Sequence, residues 1–240
     1  EEISYQVLET EMPKLLPNNP FHFIKKWGWG IRRVFSFNPV KRAELELKIS
    51  NEQAAEIKRL EETDPDNVKA IEKAANNYQE NVERLKNRLE ALKETSQNPN
   101  IDKLLDKLTD RSLKHQQLFD NLKTKLEEHP TLKEKLENLK ERLDDVIVKI
   151  PEKFEDAAKF KERVQKIIEA QPQRTFKELR AMEFIDRLEE KLPEIQKEHL
   201  QNLKEEMISK FEEKVESWKE VDKEKLLRPD VIKQLPGDHL

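Results

Sequence analysis

Apolar residues spaced alternately four and three apart run through three long stretches of this chain. Ile71, Ala75, Tyr78, Val82, Leu85, Leu89 and Leu92 make the first. Ile101, Leu105, Leu108, Ser112, His115, Phe119, Leu122 and Leu126 make the second, and Leu132, Leu136, Leu139, Leu143, Val146 and Ile150 the third. Only an α-helix brings residues with that spacing onto one face, and a sustained seven-residue repeat is the mark of helices that supercoil against one another. Composition closes off the alternatives. Apolar residues are 35% and charged residues 40% of the chain, against roughly 45–50% and about 25% in ordinary globular proteins. So polar a chain fills narrow seams between long helices rather than a thick core. Gly 3 and Tyr 2 are too few for a sheet protein with its turns and aromatic strands.

The breaks between helices are equally legible. Asn19-Pro20, Asn38-Pro39, Asp64-Pro65, Asn98-Pro99 and His129-Pro130 each place a capping or turn residue before a proline at a first helical position. Pro151 starts or kinks a further helix, and Gln171-Pro172 breaks the chain again. These signals predict an elongated all-α antiparallel bundle, a coiled-coil rod of about seven or eight helices. They divide it into an irregular segment over 1–19, an aromatic–basic helix with a second helix over 20–64, and an antiparallel three-helix coiled coil over 65–170. A helical hairpin follows over 171–220, with Phe184, Leu188, Leu203, Phe211, Val215 and Trp218 facing a core, and a tail over 221–240.

One stretch departs from this pattern. Phe21–Phe37 holds six of the fifteen aromatic residues together with Lys25, Lys26, Arg32 and Arg33, and no acid. The chain is −4 overall and this stretch is +4, which leaves −8 for the rest. Phe21, Ile24, Gly28, Ile31 and Phe35 share one helical face, which is expected to be buried, packed between the second helix and later ones. On that expectation Ile24→Asp unfolds the N-terminal region. Trp27 and Trp29 lie about 200° apart around a helix, so one faces inward and the other does not. Gly28 and Gly30 are expected to let another helix approach closely. Trp27, Trp29, Lys25, Lys26, Arg32 and Arg33 are the candidate partner or membrane contacts. Trp, Phe, Lys and Arg together also suit a helix lying in a membrane interface, whereas acidic helices wrapped around Phe21–Phe37 would meet its cations through their flexible stems.

Chemistry-bearing patterns are excluded one by one. There is no basic domain for nucleic acid. With no cysteine there is neither a disulfide nor thiol chemistry. No run of about 18 apolar residues exists to span a bilayer as a helix. The residue three before a helical histidine is Ser112 or Gln196 rather than Glu, so a di-metal carboxylate bundle is not encoded. Gly28-Trp29-Gly30 follows no strand, so it is not a dinucleotide loop. Ser112 and His115 occupy seam positions. They read either as a polar site inside the bundle or as a buried polar pair that fixes register, and the lack of a matching acid and oxyanion hole favours the second. On that reading His115→Leu is neutral or stabilising. No catalytic residue, cofactor or metal ligand is therefore assigned.

The stretch LLPNNPFHFIKKWGWGIRRVFSFNPVKRAELELKISNEQAAEIKRLEE (15–62) resembles a bacterial domain family of unknown function. Its members carry a Leu-Pro-x-x-Pro-[Phe/Tyr] element, a basic–aromatic helix and an [Asn/Asp]-Pro-x-Lys-[Arg/Lys]-Ala-x-Leu helix start. Leu16, Pro17, Pro20, Lys25, Asn38, Pro39, Lys41, Arg42, Ala43 and Leu45 match that pattern, and Trp29 and Gly30 depart from it. Glu178–Glu194 and Arg228–Asp238 are similar to its downstream segments. The resemblance implies an extracytoplasmic helical domain, behind a signal peptide or single membrane span, with no assigned activity. A chain that starts at Glu1 rather than Met fits an upstream signal, and the stop at Leu240 suggests a further element beyond it.

Together these readings lead to a non-enzymatic cell-envelope module acting as a scaffold or protein-binding surface. The alternatives are a chaperone-like, client-holding bundle and peripheral membrane attachment through 21–37. The partner is expected to be a protein, with membrane contact as the competing case and no nucleic acid. Heptads serve pairing within and between chains equally well, so oligomeric state is left open.

Overall fold

The computed structural model of the protein describes residues 3–171 and 177–217. Among them are eight α-helices, one π-helical turn and no strand, so the fold is all-α. The chain divides into two compact units, Glu1–Phe154 and Glu155–Leu240.

The first unit holds α1 (His22–Phe35), α2 (Pro39–Thr63), α3 (Val68–Glu90), α4 (Pro99–Lys125) and α5 (Pro130–Ile147), closed by a π-helical turn, Ile150–Phe154. Capping explains where the helices start. The Asn38 side chain accepts from the Lys41 amide at 3.1 Å, ahead of Pro39, and the Asn98 side chain accepts from the Asn100 amide at 2.9 Å, ahead of Pro99. Each satisfies a donor that the first turn leaves unpaired. Two starts differ from expectation. Helix α3 is capped by Asn67, whose oxygen accepts from the Ala70 amide at 3.1 Å, so it begins after Asp64-Pro65 rather than at it. Asn19 bonds the Phe21 amide at 2.8 Å in a turn, and α1 begins at His22.

Helices α2 to α5 form a four-helix bundle with packing contacts running α2–α3–α5–α4 and back to α2. Cross-helix ion pairs fix the directions. Glu44 meets Lys107 and Glu61 meets Lys125, so α2 and α4 are parallel. Asp120 meets Lys140 and Glu137 meets Lys123, so α4 and α5 are antiparallel. Every one of the heptad residues named above is buried. The three-helix expectation for this region is corrected: α2 is the fourth member. It buries Ala43, Leu47, Ile49, Ala54, Ala55, Ile57 and Leu60, with Ser50, Asn51 and Gln53 among them. Small and polar residues on the packed faces hid its seam from a search for large apolar residues. The N-terminal segment seals onto the bundle through buried Ile3 and Leu8, and Arg111 of α4 donates to the Val7 carbonyl at 3.0 Å.

The second unit holds α6 (Ala157–Ala170), α7 (Lys177–Glu189) and α8 (Glu194–Ser217), with α8 packed on both of the others. Phe160, Val164, Phe184, Ile185, Leu188, Leu200 and Leu203 fill its core. The pair Arg163–Glu155, two parallel bonds of 2.9 and 2.6 Å between buried side chains, ties the start of the unit to α6. Phe184, Leu188 and Leu203 face the core as expected, while Phe211 and Val215 are only half-buried. Trp218, the 221–240 tail and the Arg228–Asp238 segment lie outside the described residues.

Candidate interaction surface

Helix α1 carries two stripes, and the structure seats it on the polar one. His22, Lys25, Trp29 and Arg33, spaced three, four and four apart, face α2. His22 Nε2 donates to Glu56 Oε1 at 3.2 Å, and Lys25 Nζ donates to the same oxygen at 2.7 Å and lies 3.5 Å from Glu52. Trp29 Nε1 donates to Glu52 at 3.1 Å, with the Lys25 ammonium 5.1 Å from the centre of its ring. Arg33 grips Glu46 with two nitrogens, at 2.9 and 2.7 Å, and donates to Asn81 Oδ1 of α3 at 2.9 Å. Asn81 in turn donates to the Glu46 carbonyl at 2.6 Å. Glu46 and Glu56 are fully withdrawn from solvent. The order of partners, 22 with 56 through 33 with 46, makes α1 antiparallel to α2.

The apolar stripe points the other way. Phe21, Phe23, Ile24, Trp27, Ile31, Val34, Phe35 and Phe37 are all exposed, Trp27 at 75% and Ile24 at 54%. This overturns the expectation that Phe21, Ile24, Ile31 and Phe35 form a buried face wrapped by later helices. The physical reason lies on α2. Glu46 and Glu56 are buried there and take their partners from the His22, Lys25 and Arg33 stripe, and a carboxylate left buried without a partner is strongly destabilising. Of the two tryptophans Trp29 faces inward, 3% exposed, and Trp27 outward. No other helix approaches Gly28 or Gly30 among the described residues, since a Cβ at either position would meet nothing within 4 Å. Lys26 and Arg32 are exposed and make no ion pair among the described residues.

The structure thus places the six candidate contacts unequally. Trp27, Lys26 and Arg32 are on the outer surface; Trp29, Lys25 and Arg33 are the anchor. The acids that hold the anchor, Glu46, Glu52 and Glu56, were missed by sequence reasoning. Their signal was the second stripe on α1 itself, a His-Lys-Trp-Arg set at helical spacing that required acidic partners.

Ser112 and His115 are both buried in the four-helix bundle. His115 Nδ1 lies 2.8 Å from the Tyr78 hydroxyl, with Phe119 packed edge-on against Tyr78. Burial, helped by the charges of Arg111 and Lys114, pushes the imidazole down to about 3, and burial raises the Tyr78 phenol well above its ordinary value. His115 Nε2 and Ser112 Oγ have no hydrogen-bond partner among the described residues. Among the described residues no carboxylate bonds the imidazole, and the contact is a hydrogen-bonded Tyr–His pair within a packed core.

Among the described residues no helix is long and apolar enough to cross a membrane, and no group of three His, Asp or Glu could hold a metal ion. No curated protein and no solved structure matches the chain. Residues 14–145 match a family described as a domain of unknown function (DUF5667), a span that covers more than half of the chain and includes the whole of α1 and most of the four-helix bundle. The protein belongs to the DUF5667 family.

Proposed function

We propose that the protein is a non-enzymatic, extracytoplasmic helical module that works by docking through the outward face of α1. The observation that carries this reading is the inversion of that helix: its charged residues are turned into the protein and its aromatic residues out. Six large exposed apolar side chains on α1, with Phe21 and Phe37 flanking it, make the kind of patch that monomeric proteins keep small unless it is used. The buried ion pairs beneath it hold the ridge in place before any partner arrives, so docking does not have to order the helix. The extracytoplasmic placement is supported by the resemblance of the 15–62 stretch to envelope-associated domains.

An apolar dye that fluoresces on desolvated surfaces tests the docking face. The native protein should bind it at neutral pH with its helical circular dichroism intact. Ile24→Asp combined with Ile31→Asp should remove most of that binding. A native protein that leaves the dye dark would contradict the reading. Fractionation of cells making the full-length protein tests the compartment, and recovery with the cytosolic fraction would contradict that part.

A further inference from the structure

On a helical wheel of about 100° per residue, the outer face of α1 is close to symmetric. Ile31 and Trp27 flank its centre, Ile24 and Val34 come next, then Phe35 and Phe23. Together they span an arc of about 120° that holds no polar side chain. Beyond Phe35 lies Gly28 and then Arg32; beyond Phe23 lies Gly30 and then Lys26. Each edge therefore has a cleared position followed by an exposed cation, and a Cβ at either glycine would stand in open space.

The surroundings match in charge. From Met12 to Ala43 the sequence contains no acid and seven cations, in a chain with 50 acids overall. The nearest carboxylates of α2, Glu46, Glu52 and Glu56, already serve His22, Lys25, Trp29 and Arg33. Those three carboxylates are turned toward the inner stripe of α1, and the charged side chains on its outer side, Lys26 and Arg32, are both positive.

We infer that the partner of this face is the surface of an anionic phospholipid bilayer. The inference rests on the docking role proposed for α1 and names what it docks to. The helix would lie parallel to the bilayer plane, with Phe23, Ile24, Trp27, Ile31, Val34 and Phe35 at the acyl boundary and Lys26 and Arg32 among the headgroup phosphates. A second copy of the chain fits less well. Two α1 ridges face to face would bring the unpaired cations of both copies together. A helix of 14 residues offers a strip about 21 Å long and about 10 Å across, far short of the roughly 800 Å² per partner of a stable pair.

The test is flotation of the full chain with large unilamellar vesicles, either phosphatidylcholine alone or an equal mixture with phosphatidylglycerol, while Trp emission is followed. The mixed vesicles should bind the protein and shift its emission to the blue; phosphatidylcholine alone should bind it far less, and added salt should weaken the binding. Lys26→Gln with Arg32→Gln should lower partitioning by about 25-fold, about fivefold for each cation. Ile24→Asp with Ile31→Asp should abolish it without changing helicity or the melting curve. No flotation with mixed vesicles at low salt, or flotation indifferent to Ile24→Asp and Ile31→Asp, overturns the inference. A dimer in sedimentation equilibrium that those substitutions dissolve makes the partner a second copy and overturns it too. Dye binding that survives when flotation fails removes the lipid and leaves the docking face; loss of both removes both.

Discussion

His115 Nδ1 and the Tyr78 hydroxyl share a hydrogen bond across the core of the four-helix bundle, 2.8 Å apart. Replacing His115 by an apolar residue was expected from the sequence to be neutral or better. The structure changes that, because His115→Leu leaves a buried phenol with no partner. The single variant should cost about 1–3 kcal/mol in urea unfolding, and adding Tyr78→Phe should recover most of it. A harmless single variant would show that the bond contributes nothing. The same imidazole couples stability to pH. Above pH 6.5 it is neutral in both folded and unfolded chains. Between 6.5 and about 3 only the unfolded chain takes up the proton, so stability falls as pH falls. The contribution of this group at pH 5 should be a loss of about 2 kcal/mol relative to pH 7. Comparing the two pH values in the wild type and in the His115→Leu, Tyr78→Phe chain isolates that loss, which should be absent from the variant.

Helix α1 shows what an amphipathic pattern does and does not determine. The spacing establishes that a helix forms with distinct faces; it does not say which face turns in. That choice depends on Glu46 and Glu56, which are buried on α2 and sit on a neighbouring element rather than on α1. Arg33→Ala should therefore be costly, about 3 kcal/mol or more, since it strips the bidentate partner from a carboxylate that water cannot reach. Equilibrium unfolding of the variant measures this, and a loss below about 1 kcal/mol would place the pair among ordinary surface bridges. The seams of α3, α4 and α5 were legible because Leu, Ile and Phe occupy them at regular spacing. That of α2 was not, because Ala, Ser, Asn and Gln line much of it, and close helix approach through small residues leaves no periodic apolar signature. The candidate contacts were legible as a group, in that all six fall on α1. Their division into Trp27, Lys26 and Arg32 outside and Trp29, Lys25 and Arg33 inside was not.

At the scale of the molecule, the family match over 14–145 lies within the first compact unit, Glu1–Phe154, which has its own capped helices and its own apolar core. A chain ending at residue 154 should therefore fold by itself, with strong helical circular dichroism and one cooperative melting transition; a non-cooperative or unfolded product would contradict the division. The account depends most on the orientation of α1 in the intact protein, and two tryptophans two residues apart report on it directly. With Trp218 replaced by Phe, single-tryptophan chains are made by Trp29→Phe, which leaves Trp27, and by Trp27→Phe, which leaves Trp29. Acrylamide should quench Trp27 several times more strongly than Trp29, and Trp27 should emit farther to the red. Equal quenching, or a shielded Trp27 beside an accessible Trp29, would mean that the aromatic face is turned inward and the outward docking surface does not exist.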